Sequence, residues 1–218
     1  MDRAVVFDLG GTLMEFVGMP LSWTGYYPAG LGHVNEKYGL GLTDAQIGRA
    51  VQIMTEFNPR VRYRENEIAP EEIFEAALKS CRIGIPIEDI ISAFFEGIDL
   101  KPKIYDYSFS LIEDFRKAGF GIACLTDLPS AIPDAYFREK IRPLLERIPL
   151  YVSSQSCGYR KPNPYGLTVI ARHFRIGTDR LLLIGDEEKD ALTAERAGCA
   201  FEDIRTLAEN GFSITGFV

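Results

Sequence analysis

The sequence holds little from which a transition-metal site could be built: four cysteines and two histidines in 218 residues. Cys81, Cys124, Cys157 and Cys199 stand far apart with no Cys-x-x-Cys pair, and neither His33 nor His173 has a His or Cys at ligand spacing. That pattern argues against a zinc centre or a disulfide frame and for reduced thiols. An excess of positive charge is also missing. The net charge of -7 speaks against general binding to nucleic acid, which needs a basic face. A small anionic substrate stays open, because a local cluster of donors overrides the global sign. No hydrophobic run approaches membrane-spanning length, and the run after Met1-Asp2-Arg3 is too short for a signal peptide. The expectation is a cytoplasmic protein with no membrane contact. Oligomeric state is not legible.

What is present starts with Ala4-Val5-Val6-Phe7-Asp8-Leu9-Gly10-Gly11-Thr12-Leu13. The uncharged, β-branched and aromatic run fits a strand buried on both faces of a parallel sheet. Asp8 sits where that strand ends, and open α/β sheets bind ligands outside the carboxyl ends of their strands. On this stretch alone, Asp8 reads equally as a catalytic carboxylate or as the cap of a following helix.

From Met14 to about Leu100 the character changes. Phe16-Val17-Gly18-Met19-Pro20 reads as a hinge loop, and Trp23, Tyr26 and Tyr27 as either a binding lip or core of a small subdomain. Thr43-Asp44-Ala45-Gln46 is a capping box before apolar residues at helical spacing. Pro70 suits a first helical position, with Glu71 and Glu72 at the positive end of the dipole. A third run from Ile87 to Phe95 meets Gly97, read as its stop. These segments predict an α-helical subdomain over 17–100. Its Arg60-Val61-Arg62-Tyr63-Arg64 cluster reads as a solvated connection or as a patch that recruits an anionic substrate.

Lys101-Pro102-Lys103 reads as the second connection, after which strands and helices alternate. Ser108 and Gly119 bracket a helix. Strands over 121–125, 150–152 and 181–184 each end on polar residues, and Gly198 stops a helix ending at Ala197. The alternation predicts a parallel α/β sheet with helices on both faces, Rossmann-like, formed by 1–16 and 101–218. Its carboxyl edge gathers Asp8, Thr12, Thr126, Asp127, Asp186 and Asp190. Like charges held close repel unless a cation sits among them, and hard oxygen ligands select magnesium. Lys161, on a loop flanked by turn residues, supplies the counter-charge.

Four of these stretches, in order, resemble the motifs of the haloacid dehalogenase superfamily, in the branch with a helical cap inserted after the first strand. Asp8-Leu9-Gly10-Gly11-Thr12-Leu13 is similar to the nucleophile motif, Leu125-Thr126-Asp127 to the second, Lys161-Pro162 to the third, and Gly185-Asp186 with Asp190 to the acidic fourth. The resemblance implies a magnesium-dependent phosphatase acting on a small phosphorylated metabolite. Asp8 would be phosphorylated during turnover, Lys161 would neutralise charge beside it, and Thr126 with the amides of Asp127 and Gly11 would hold phosphoryl oxygens. Asp8, the Gly10 carbonyl, Asp186 and Asp190 would hold magnesium.

One position departs from the pattern. The superfamily's phosphatases and mutases carry a second aspartate two residues after the nucleophile, as general acid and base, and here that residue is Gly10. Such catalysis is typically worth about 10²- to 10⁴-fold in rate. The departure keeps two relatives in view: an enzyme of the same fold acting on carbon-phosphorus or carbon-halogen bonds, with Lys37 and Lys79 as Schiff-base candidates for the former, and a weak catalyst that binds a phosphorylated ligand or partner. Asp-Leu-Gly-Gly-Thr also resembles a sugar-kinase phosphate loop, but those enzymes need two such domains and 218 residues hold no second loop.

Overall fold

The computed structural model describes residues 2–81 and 83–217; Met1 and Val218, the ends of the expected core ranges, lie outside the described residues. The strands are β1 (Ala4–Phe7), β2 (Met14–Phe16), β3 (Pro102–Ile104), β4 (Gly121–Thr126), β5 (Leu150–Ser153), β6 (Leu181–Gly185) and β7 (Ala200–Asp203). Five of them form one sheet in the order β5-β4-β1-β6-β7, with every pairing parallel. β1 lies at the centre, and all four of its residues are buried. Phe7 is level with Cys124 on one side and Ile184 on the other. The residues that follow β1, β4 and β6 therefore emerge together at one edge. Chain order reverses between β1 and β6, which is where an open sheet leaves a crevice for ligand.

Among the described residues, four α-helices lie between β2 and β3, after a short 3₁₀ turn at Thr24–Tyr26: α1 (Tyr27–Tyr38), α2 (Asp44–Glu56), α3 (Pro70–Leu78) and α4 (Ile87–Ile98). Seven follow β3: α5 (Ser108–Lys117), α6 (Asp134–Lys140), α7 (Arg142–Leu145), α8 (Ser154–Cys157), α9 (Tyr165–Phe174), α10 (Glu188–Ala197) and α11 (Ile204–Glu209). Strand alternation sends Val5 and Phe7 to one face of the sheet, where they meet Leu111 and Phe115 of α5 and Ile204 of α11. Ala4 and Val6 point to the other face, against Leu167 and Ile170 of α9 and Ala194 of α10. The first of these cores continues without a break into α1–α4. There the Phe94 ring meets those of Tyr27, Phe74 and Phe95.

Several local expectations hold. Thr43 and Gln46 form a reciprocal capping box, Pro70 opens α3, and Gly198 closes α10 in the left-handed conformation. Others are corrected. Gly97 is no stop: α4 runs on to Ile98 and is closed by Asp99 at φ 51°. Gly97 instead lets α1 approach, since a Cβ there would lie 2.5 Å from the Cβ of His33. Ser108 does not cap α5; its hydroxyl donates to the Leu13 carbonyl at 2.7 Å. The hinge and the second connection are not plain loops, because β2 and β3 pair antiparallel as a two-stranded ribbon. β7, half exposed and ending Glu202-Asp203, adds a strand that its sequence does not announce. All four cysteines are free, and no described helix is long and apolar enough to cross a membrane.

Candidate active site

β1 delivers Asp8 to the edge of the sheet, where its amide donates to the Ile184 carbonyl at 2.8 Å. The tight turn behind it depends on Gly11, at φ 80°. A Cβ on Gly11 would also lie 2.3 Å from Asp186 Oδ2, so glycine lets the β6 aspartate close up on the β1 loop. Thr12 fixes that aspartate by donating its hydroxyl to Asp186 Oδ1 at 3.0 Å.

Lys161 lies beneath these groups. Its ammonium sits 2.8 Å from Asp8 Oδ1 and 2.5 Å from Asp190 Oδ1, with the lysine side chain 1% exposed. Asp190 turns its other oxygen to the amides of Asp186, at 3.3 Å, and Glu187, at 3.0 Å. The carboxylates of Asp8, Asp186 and Asp190 each place an oxygen within 4.8 Å of the others. This all-oxygen set fits a hard divalent cation such as magnesium, and one ammonium cannot neutralise three clustered carboxylates.

Burial and neighbouring charge compete to set the protonation of these groups. It raises the Asp8 carboxyl to about 7, against the opposing charge of Lys161. Burial also works to discharge Lys161, but Asp190, Asp8 and Asp127 outweigh it and keep the ammonium protonated far above neutrality. Burial likewise favours neutral Asp127, yet Lys189, Arg160 and Lys161 outweigh it and bring that carboxyl down to about 2. Burial raises Asp186 as well, with the Thr12 hydrogen bond opposing.

Above the strand ends lies a cavity of about 570 Å³. Asp8, Gly10, Gly11, Thr126 and Asp127 line its sheet side, and Trp23 and Arg60 reach it from the segment between β2 and β3. Lys161, Asp186 and Asp190 do not line the cavity but lie beside Asp8 and the loop after β1. Two details differ from expectation. The Gly11 amide, read as a phosphoryl donor, is already engaged with the Met14 carbonyl at 2.9 Å. The Asp127 carboxylate is not a bystander to its amide: it accepts from the Lys161 amide at 2.9 Å and from the Lys189 ammonium at 3.1 Å.

Sequence reasoning missed Lys189, Glu187 and the true partners of the basic cluster. Arg60 forms a two-pronged pair with Glu187, at 2.6 and 2.5 Å, and Arg64 lies 3.6 Å from Glu67. Arg60 to Tyr63 are exposed in the connection between α2 and α3, as the solvated reading has it, while Arg64 is partly buried. Only the Glu187–Asp190 spacing offered a signal, that of a reciprocal cap at the start of a helix, which the structure contains. Of the tyrosines, Tyr27 is buried and its hydroxyl accepts from Asn58 at 2.8 Å, so it belongs to packing, whereas Trp23 faces the cavity.

A doubly covered parallel sheet with a buried lysine and an acidic cluster at its switch point defines a protein of the open α/β class, whose ligands bind outside the carboxyl ends of the strands. The chain belongs to the haloacid dehalogenase-like hydrolase family, whose profile matches residues 3–198. Among curated relatives, phosphoglycolate phosphatase of Vibrio cholerae is 24% identical over 206 residues, spanning 90% of this chain and 81% of that protein. The enzyme of the same name from Thiobacillus denitrificans is 26% identical over 198 residues, spanning 90% and 80%. The fold is shared with a HAD phosphatase from Thermococcus onnurineus at TM-score 0.60, 16% identity and coverage of 91% and 84%. It is shared too with CbbY from Rhodobacter sphaeroides, solved in complex with phosphate, at TM-score 0.54, 19% identity and coverage of 93% and 87%.

Proposed function

We propose that this hydrolase is a phosphatase that transfers the phosphoryl group of a small phosphorylated metabolite to Asp8 and then to water. The observation that carries the reading is the Asp8–Lys161–Asp190 arrangement, a buried carboxylate held against a permanent cation beside two further carboxylates at the mouth of a cavity. Asp8, Asp186 and the Gly10 carbonyl are the residues that would hold magnesium. Asp190, with one oxygen on Lys161 and the other on two amides, fits the part of positioning the set. When bound, the ion draws phosphoryl oxygens toward the site and offsets their charge.

In the first step Asp8 Oδ2 attacks phosphorus while Lys161 holds Oδ1, and the bond from phosphorus to the leaving oxygen breaks. Thr126 and the Asp127 amide face the phosphoryl oxygens, and Lys161 offsets charge as it builds. The departing oxygen takes a proton from water, since Gly10 offers none. In the second step water attacks phosphorus, the bond to Asp8 breaks, inorganic phosphate leaves and Asp8 returns as carboxylate. Residues 17–100 act in this reading as a cap that covers the cavity. The names of the curated relatives support a small phosphorylated acid as substrate class.

The carbon-phosphorus reading loses ground, because neither Lys37 nor Lys79 lines the cavity and Lys37 is paired with Glu96 at 2.5 Å. The deciding experiment is a screen of phosphorylated acids and sugars with and without magnesium. Release of phosphate that requires the metal and accumulates phosphorylated Asp8 is the expected result, and a trapped alkyl or imine adduct in its place would sink the reading.

A further inference from the structure

The segment just before α3 is stitched to the loop that carries Lys161. Asn66 and Tyr159 form an antiparallel bridge, with the Arg160 amide donating to the Glu65 carbonyl at 2.7 Å and the Glu67 amide to the Gly158 carbonyl at 3.0 Å. At the centre of this seam Glu67 is 7% exposed, and its Oε2 accepts from both Arg160 Nη1 and the Ser154 hydroxyl. Those two groups converge on a third residue. Arg160 Nη2 donates to the Leu128 carbonyl at 2.9 Å, and Ser154 Oγ accepts from the Leu128 amide at 3.0 Å. The result is a closed ring, Glu67 to Arg160 to Leu128 to Ser154 and back.

Leu128 stands two residues beyond Thr126, and Arg160 stands one residue before Lys161. The Asp127 carboxylate, between the two loops, accepts from the Lys161 amide at 2.9 Å. Three sheet-side residues, Arg160, Ser154 and Leu128, are thus joined into one ring through a carboxylate that comes from the α1–α4 segment. Simple docking needs no such buried charge: Arg196 and Glu65, along the same seam, pair at 2.9 Å while 40% and 31% exposed.

We infer that Glu67 is a positioning residue, through which docking of the helical segment sets the Thr126–Leu128 loop and the Lys161 loop in working register. The claim rests on the phosphatase reading for its kinetic consequence and on geometry alone for its structural one. Catalysis is then tied to the docked state: withdrawal of Glu67 frees Leu128 and Arg160 together, so the phosphoryl site loosens as the cavity opens.

The test uses the full chain with 4-nitrophenyl phosphate and magnesium. Glu67→Gln is expected to lower kcat about 10- to 100-fold, the scale of a small misplacement of reacting groups, with little change in KM. A buried guanidinium left without its carboxylate is costly, so a second variant, Glu67→Met with Arg160→Met, replaces the pair by apolar groups and is expected to show the same loss in a folded protein. Hydrogen exchange at the Leu128 and Lys161 amides should quicken in both variants, whereas Arg196→Ala should leave kcat and exchange as in wild type. Unchanged kcat and unchanged exchange in the folded variants overturn the inference, whatever their melting temperatures. Should wild type hydrolyse no phosphomonoester at all, the phosphatase reading fails, and exchange at the two amides still decides the role of Glu67.

Discussion

On the sheet side of the cavity, the Lys161 and Asp190 side chains are 1% and 0% exposed; at the rim, where the helical segment meets the sheet, Arg60 and Glu187 are 34% and 21% exposed. Both are ion pairs with contacts near 2.5 Å, yet their surroundings give them different work. In the dry pair each charge has strong pull on its neighbours' protonation, and loss of one partner strands the other. In the wet pair water and salt screen the attraction, and the net contribution to stability is small. Under the phosphatase reading, the fixed charges belong with the chemistry and the screened ones with the approach of substrate.

The largest effect separating the two regions is expected from Asp8→Asn, which should reduce metal-dependent phosphate release to background, as should a chelator until magnesium is restored. Retained turnover would remove Asp8 from the centre of the site. Next comes Gly10→Asp. A Cβ at Gly10 meets nothing within 4 Å, and its backbone lies outside the left-handed region that only glycine favours. The new carboxyl should raise turnover of alkyl phosphates by about 100-fold, and aryl phosphates, whose leaving groups need no proton, much less. Equal gains on both substrates would show that the proton was never limiting.

Third is Asp127→Asn. The folded carboxyl lies near 2 against an ordinary 3.8, so its ionised form stabilises the fold at neutral pH, and that stability is lost as pH falls from about 4 toward 2. The substitution should cost about 2 kcal/mol at pH 7. Urea titrations of variant and wild type should converge near pH 2, and a gap that widens in acid would reverse the assignment. The smallest effect belongs to Arg60→Ala, expected to change stability by less than about 1 kcal/mol while raising KM for acidic phosphorylated substrates. A change confined to kcat would place Arg60 with the chemistry after all.

The same contrast explains what could be read from sequence. β1, β4 and β6 are legible because burial on both faces removes charge from a short run and then releases it at the strand end, as at Phe7-Asp8 and Gly185-Asp186; β5, at the sheet edge and half-buried at Leu150 and Tyr151, is legible only as an uncharged run that ends on serines. The site follows from that regularity, since a level register brings the strand ends together. β2 and β3, of three residues each, are too short to show a period, and β7 alternates too weakly at an exposed edge. Gly97 misleads because a glycine that admits a neighbouring helix looks the same in sequence as one that ends its own. The pairings of Arg60 with Glu187 and of Glu67 with Arg160 join residues 127 and 93 positions apart, and nothing local announces either.

Trp23, finally, is the only tryptophan in the chain. It is 7% exposed, held at φ 59°, and set edge-on to Phe16 of the β2–β3 ribbon at a ring separation of 5.6 Å, with a side on the cavity. The protein therefore carries its own optical probe where the β2–β3 ribbon meets the cavity. Its emission should shift as ligand fills the space beside the indole, giving binding a direct stopped-flow signal in the unlabelled, unmodified enzyme.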